Sequence, residues 1–214
     1  MKVYVVYCHP THDSLIGAAL ERALRGLEAG GHDVRLSDLY VDGFTPELSL
    51  AERSQMMVDH RAQPEVRAEL AGYINNLEWC DTLVVVYPTW WGGQPAMLKG
   101  WLDRVLVPGV AYEVRAGADR ISPLLRNVRM LVTITSHGST KRINALQGEP
   151  GKRTISRSLR AVCHRRCRAK WIAIYNIDRC NESRRQRFLD RVERHMRALP
   201  SLPAGTRSGA PVSV

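Results

Sequence analysis

Apolar residues along the 214-residue chain fall into two alternating rhythms. Lys2–Tyr7 is a short, β-branched run of the kind that forms a buried strand. Ser14–Gly30 then places Leu15, Ala18, Ala19, Leu20, Ala23, Leu24 and Leu27 on one broad stripe, which predicts a helix. Asp13 or Ser14 stands where an N-cap belongs, and Gly30-Gly31 ends the element. Asp33–Leu39 is a second short strand. Residues 41–64 form a polar connection with room for a short helix near Leu48–Met56. Glu65–Leu77 predicts a helix that packs Val66, Leu70, Tyr73 and Ile74. A strand at Thr82–Tyr87 and a helix from Ala96 to Leu106 follow. Ala111–Val114 and the Gly/Ala/Asp stretch after it read as an excursion before the next strand, Val128–Thr135. Ser136–Arg168 is predicted as loop and then helix (Thr154–Val162), and Lys170–Asn176 as the last strand. Ser183–Leu199 is an amphipathic helix carrying Phe188, Leu189, Val192 and Met196. Pro200–Val214, rich in Pro, Gly, Ser and Ala, is expected to be a disordered tail.

Five strands alternating with helices imply an α/β fold: a parallel sheet, doubly wound, with helices on both faces and right-handed crossovers. No break falls before residue 199 and no repeat is visible, so residues 1–199 are expected to form one domain. The flavodoxin-like strand order 2-1-3-4-5 suits this rhythm and places a ligand crevice beside strands 1, 3 and 4.

The most informative stretch lies in that crevice. Tyr87 to Val105 reads YPTWWGGQPAMLKGWLDRV. It leaves a buried strand at Pro88, carries two adjacent tryptophans, turns at Gly92-Gly93 and restarts as a helix after Pro95. Glycines let backbone approach a ligand, and two indoles in a loop offer a flat apolar surface. Trp90 and Trp91 therefore read either as a platform for a flat ring or as core or dimer-interface residues. A second loop, Cys8-His9-Pro10-Thr11-His12-Asp13-Ser14, joins strand 1 to helix 1. His9, Thr11, His12 and Ser14 are potential donors to a phosphate at a helix N-terminus, although Asp13 opposes an anion; plain helix capping is the competing reading. The third loop, Ser136-His137-Gly138-Ser139-Thr140, is small and hydroxylated, suited to a ring edge. No GxGxxG follows strand 1 and no Walker A pattern is present, which disfavours a dinucleotide-binding Rossmann domain or a P-loop enzyme.

Composition narrows the classes further. Hydrophobic content of 44% and charged content of 24% are those of an ordinary globular protein. No apolar run approaches the roughly 20 residues that span a bilayer, and Lys2–Tyr7 is too short for a signal peptide, so a cytoplasmic protein without membrane insertion is expected. Five cysteines without a regular framework are expected to be reduced. Cys163-His164-Arg165-Arg166-Cys167 is too positive and too short of ligands for a metal site, and none is expected. Charge is uneven: residues 1–151 hold 15 Lys+Arg against 17 Asp+Glu, whereas residues 152–197 hold 15 against 4. The basic third reads as a solvated arginine-rich face or as a surface for an anionic partner. Nucleic acid is disfavoured, because stacking aromatics are not interleaved with the arginines.

Cys8-His9-Pro10 with Ser14, Ser37-Asp38-Leu39-Tyr40, the PTWWGGQPAMLKGWLDRV segment with Ala111-Tyr112, and Leu146-Gln147-Gly148 together resemble the flavodoxin-like NAD(P)H:quinone oxidoreductase family. That family includes DT-diaphorase-type enzymes and the ancillary oxidoreductases of bacterial glutathione-gated potassium efflux systems. The similarity runs in order from about residue 3 to residue 175. It implies a non-covalently bound flavin, ping-pong hydride transfer from NADPH or NADH to a quinone or similar small electrophile, and a homodimer. It implies that His9, Thr11, Ser14 and Leu15 hold the flavin phosphate and ribityl chain. Pro88, Thr89, Trp90, Trp91 and Gly92 would line one side of the ring, and Thr135, Ser136, His137 and Gly138 another. Lys99, Trp101 and Arg104 would be structural or interface residues rather than catalytic ones. The chain departs from the family in two places. The tyrosine and histidine that relay protons in the animal enzymes are absent from Lys141-Arg142-Ile143-Asn144 and Glu149-Pro150-Gly151, which leaves water or His137 as proton source. The region between Arg61 and Glu69 lacks the aromatic clasp of FAD-dependent members, which favours FMN over FAD. A flavin-binding regulatory subunit docking on an acidic partner, such as a transporter domain, is the competing function.

Overall fold

The computed structural model describes residues 1–62, 64–115, 117 and 119–200. Five parallel strands, β1 (Lys2–Tyr7), β2 (Asp33–Asp38), β3 (Thr82–Pro88), β4 (Met130–His137) and β5 (Arg168–Tyr175), form one sheet. Their order is β2-β1-β3-β4-β5, the flavodoxin-like order expected. Val5 stands beside Leu36 on one side and Val84 on the other, which sets the register at the centre. The expected tail from residue 201 onward lies outside the described residues.

Both faces of the sheet are covered, so successive strand residues enter different cores. Tyr4, Val6, Leu83, Val85 and Leu131 point to one side. There they meet Ile74 and Leu77 of α3 (Ala71–Trp79) and Leu98 and Trp101 of α4 (Ala96–Val105). Val3, Val5, Val84, Val86 and Val132 point to the other, against α1 (Leu15–Ala29) and the final helix, α7 (Glu182–Arg197). α1 and α7 cross closely at Gly26, where a Cβ would lie 2.4 Å from the Glu193 carbonyl oxygen.

Four segments differ from expectation, one of them β5, which begins at Arg168, two residues before the expected Lys170, and ends one residue early at Tyr175. The helix expected over Glu65–Leu77 is instead a 3₁₀ segment, Pro64–Leu70, followed by α3. Arg67 leaves helical geometry (φ −128°) and its buried guanidinium donates to the Glu52 carbonyl at 3.4 Å, so side-chain pairing overrides helical propensity. The side chain of Val66 lies outside the described residues. The helix expected to begin at Thr154 begins at Pro150 and becomes π-helical over Thr154–Leu159, and α5 (Lys141–Leu146) precedes it. Thr140 caps α5, while Gly148 (φ 82°) and Glu149 (φ 48°) stop it before Pro150 restarts the helix. β4 starts and ends two residues later than expected, because Asn127 ties its entry to the Leu77 and Cys80 carbonyls (2.7 and 2.6 Å). Ser136 and His137 therefore belong to a strand, and the third loop begins at Gly138.

Candidate active site at the carboxyl edge of the sheet

The three loops leave the carboxyl ends of β1, β3 and β4 side by side, where the strand order reverses. In the first loop, three groups converge on one carbonyl: Tyr7 Oη donates to Thr11 O at 3.0 Å, Ser14 Oγ lies 3.3 Å away and His9 Nδ1 2.6 Å away. Ser14 Oγ also caps α1, accepting from Gly17 N at 3.0 Å, so Ser14 acts first as a cap. Thr11 Oγ1 accepts from Asp13 N at 3.1 Å and keeps its own proton free to donate. Helix geometry leaves the Leu15 and Ile16 amides without intrahelical acceptors. His12 is drawn away, its Nε2 lying 2.6 Å from Asp38 Oδ2. The donors left for an anion are thus the Thr11 hydroxyl and the first amides of α1, with the Nε2 edge of the His9 ring beside them. Leu15 contributes its backbone, its side chain packing on the core.

The second loop is a tight turn. Trp90 and Gly93 exchange backbone hydrogen bonds (3.2 and 3.0 Å), with Trp91 at φ 49° and Gly92 at φ 75° between them. Positive φ at both central residues is the demand of a type I′ turn, which glycine meets freely and tryptophan does not. Holding a bulky residue there costs about 1–3 kcal/mol. The strain coincides with full exposure of Trp91, and Trp90 is 42% exposed with its ring 6.1 Å from that of His9. Nothing lies within 4 Å of a Cβ placed on Gly93.

The third wall is β4. Thr89 N donates to Ser136 O at 2.8 Å, and Thr89 Oγ1 lies 3.0 Å from Thr135 Oγ1 and 3.5 Å from His137 Nε2. His137 is buried, and its ring stacks on Tyr175 at 4.5 Å and 14°. Burial lowers its pKa, outweighing the Asn144 hydrogen bond that favours the charged form, so the ring is biased towards neutrality. Its Nδ1 is buried without a partner. A cavity of about 490 Å3 opens between Thr89, Trp91, Gly92, His137 and Gly138. Pro88 and Ser136 sit at its back as paired strand residues.

Asn144, Gln147 and Asp178 also line this cavity; Gln147 lies in the Leu146-Gln147-Gly148 segment of the resemblance, whereas Asn144 and Asp178 were not singled out as site residues. Tyr175 was missed as well, although it is the direct register partner of His137 on β5. A tyrosine–histidine pair therefore exists here, assembled from two strands rather than from the segment after residue 140. Trp101 is fully buried, Arg104 is enclosed by Glu52 and Glu69, and Lys99 pairs with Asp103 one turn along the same helix. Among the described residues no three His, Cys, Asp or Glu side chains cluster to hold a metal. No described helix is long and apolar enough to cross a membrane.

Residues 1–199 match the family described as having a flavodoxin-like fold. The chain belongs to that family. It is 31% identical over 170 residues to NAD(P)H dehydrogenase (quinone) 1 of Rattus norvegicus, a match covering 72% of this chain and 60% of that protein. It is 36% identical over 120 residues to the uncharacterized NAD(P)H oxidoreductase YcaK of Escherichia coli, covering 52% of this chain and 55% of that one. The matches thus span only about half to three fifths of these relatives. Among solved structures, an NAD(P)H:quinone oxidoreductase from Methanothermobacter marburgensis superposes with a TM-score of 0.74 at 27% identity, covering 91% of this chain and 94% of that one. An FMN-dependent NADH-azoreductase from Bacillus anthracis, solved with FMN, shares the fold at 14% identity and TM-score 0.73, covering 92% and 98%.

Proposed function

We infer that this member of the flavodoxin-like family is a flavin-dependent NAD(P)H:acceptor oxidoreductase. It takes a hydride from NADPH or NADH and delivers it to a quinone or similar small electrophile. The observation that carries the reading is the strained, exposed Trp90–Gly93 turn facing His137 across an open crevice. That arrangement fits flavin, and FMN over FAD: indoles for the ring face, open backbone at Gly93 and Gly138 for its polar edge, and free amides of α1 for one phosphate. His9, Thr11, Ser14 and Leu15 would hold the phosphate end. Pro88, Thr89, Trp90, Trp91 and Gly92 would flank the ring, with Thr135, Ser136 and Gly138 opposite.

When bound, the flavin supplies the hydride relay between donor and acceptor. The chain's own work is positioning and proton handling. Thr89, whose hydroxyl is hydrogen-bonded to that of buried Thr135, lies beside His137 Nε2 at the crevice wall. His137, held by Tyr175 and kept largely neutral by burial, carries a proton at Nε2 or Nδ1 for the reduced acceptor. The protein is proposed to be cytoplasmic and to pair as a homodimer.

Fluorescence titration of the purified protein with FMN and FAD, followed by NADPH and NADH oxidation with menadione, tests this reading. Saturable quenching and turnover well above free flavin support it; absence of flavin binding sinks it. Flavin binding without turnover favours the regulatory-subunit alternative. Trp91→Ala is expected to weaken FMN affinity about tenfold through loss of stacking; unchanged affinity would remove the tryptophan turn from the site. His137→Gln is expected to slow acceptor reduction roughly a hundredfold while FMN affinity is retained.

A further inference from the structure

A second cavity, of about 650 Å3, lies outside the crevice between the carboxyl end of β5 and α7. Lys141, Tyr175, Arg184, Arg187, Arg191 and Arg194 form its charged and aromatic lining. The four arginines recur at i, i+3, i+7 and i+10, which puts them on one face of α7 in a row about 15 Å long. None of the five cations forms an ion pair among the described residues. The only carboxylate lining the cavity among the described residues, Asp190, is turned to Arg22 on α1 at 3.1 Å. Residues 201–214 contain no Asp or Glu that could neutralise the row. Arg191 Nη2 donates to the Ala173 carbonyl at 2.6 Å, yet like charges repeated along one helix face repel one another, so an exposed row of this length without ion pairs attracts an anion.

The groove and the crevice share a wall. Tyr175 lines the groove and its ring stacks on His137 of the crevice, and Lys141 follows directly on the Ser139-Thr140 lip. Among the described residues no Lys or Arg lines the crevice, and Asp178 adds a negative charge to its lining. A dinucleotide whose nicotinamide enters the crevice must therefore find its phosphate partners elsewhere. We propose that the arginine groove binds the phosphorylated adenosine end of the hydride donor, its guanidiniums gripping the 2′-phosphate and pyrophosphate, and that the chain consequently selects NADPH over NADH. Guanidinium forks match phosphate oxygens in pairs, which makes arginine suited to this task. Nucleic acid fits less well: phosphates would meet the row, but Phe188 is buried and one face of Tyr175 is covered by His137, so bases have no platform. The assignment rests on the hydride-donor reading above, and its test separates the two.

The test is calorimetric titration of the full chain with adenosine 2′,5′-bisphosphate and with adenosine 5′-monophosphate, which needs neither flavin nor turnover. It is repeated on Arg184→Ala/Arg187→Ala, both exposed positions, and on Lys141→Ala. The bisphosphate is expected to bind at least about tenfold more tightly than the monophosphate, and the double variant to lose about tenfold. In steady-state assays the ratio of kcat/KM for NADPH to that for NADH should fall by a similar factor in the same variant. If neither donor is oxidised yet the bisphosphate preference is present in wild type and lost in the variant, the groove stands and the reaction falls. If both donors are oxidised with a ratio the variants leave unchanged, the reaction stands and the groove assignment falls. Single-stranded DNA binding more tightly than the bisphosphate, with the same loss in the variants, would overturn the proposal in favour of a polyanion track.

Discussion

Glu52→Gln is expected to remove about 3–5 kcal/mol of folding stability, the cost of leaving one member of a buried ion pair without its partner. Arg104 Nε donates to Glu52 Oε1 at 2.9 Å, with side-chain exposures of 4% and 1%. The same guanidinium reaches the Thr45 carbonyl and Glu69, and Glu69 is largely exposed, so the loss should fall nearer the lower bound. Glutamine isolates the charge. Glu52 also closes a capping box with Ser49, whose Oγ accepts from Glu52 N at 3.1 Å and whose N donates to Glu52 Oε2 at 2.9 Å, and glutamine can keep that box. A fall in the denaturation midpoint without a change in slope is the measurement, with Tm lower by roughly 6–20 °C. The pH dependence follows from the carboxyl. Burial pushes the Glu52 pKa up, yet hydrogen bonds from Arg104 and Ser49 together bring it below its ordinary value. A depressed carboxylate contributes stability that is present above the unfolded pKa, about 4.3, and is lost as pH falls through the folded value beneath it. The gap between wild type and variant should therefore be constant near neutrality and close only below about pH 4. A variant as stable as wild type at pH 7 would show that this pair does not hold α2 (Leu50–Ser54) to α4.

The central strands were legible because both of their faces are buried. β1 and β3 contain almost nothing but apolar residues, and no helical reading fits runs of six or seven residues, half or more of them β-branched, between polar stops. β5 was legible only in part: as an edge strand it tolerates Arg168, Ala169 and Lys170 exposed at its start, so its first two residues carry no hydrophobic signal. The cap was legible as Asp13 or Ser14, and the structure gives it to Ser14; the loop break at the two tryptophans and Gly92-Gly93 was legible too, because both signals are local. The Tyr175–His137 stack is not local. It follows from register between strands separated by 38 positions, which no pattern along the chain encodes. The partnership of Glu52, Arg67 and Arg104 was hidden for the same reason: each reads as an ordinary surface charge until α2, the 3₁₀ segment and α4 are packed together. The expected helix at Glu65–Leu77 failed at Arg67, where a tertiary contact outweighs local propensity.

Gly17→Ala should have the larger functional consequence. A Cβ on Gly17 would sit 1.9 Å from the carbonyl oxygen of His12, 2.7 Å from its carbonyl carbon and 2.9 Å from its Cα. All three are backbone atoms, so no rotamer change can relieve the contact. Either the first turn of α1 or the loop before it must move. The gain of about 1 kcal/mol that alanine brings to a helix is small beside such a clash, and a net loss of about 3 kcal/mol is expected. The loop cannot move freely. Ser14 N donates to the His12 carbonyl at 2.8 Å and the Ser14 hydroxyl caps Gly17 N, so one displacement disturbs the turn, the cap and the Thr11 carbonyl that gathers Tyr7, His9 and Ser14. Those contacts aim the first amides of α1 at the crevice, and FMN affinity should fall more than tenfold as a result. Gly72→Ala is the control. It lies in α3 with nothing within 4 Å of a new Cβ, and it is expected to stabilise the chain by about 0.5–1 kcal/mol with flavin binding untouched. Thermal melts and FMN titrations of the two alanine variants separate helix propensity from steric displacement. If Gly17→Ala melts and binds FMN like Gly72→Ala, the tight wrap of the first loop on α1 is not what presents the phosphate site. If Gly17→Ala loses stability but keeps FMN affinity, the loop is structural and the phosphate is held elsewhere along the edge of the sheet.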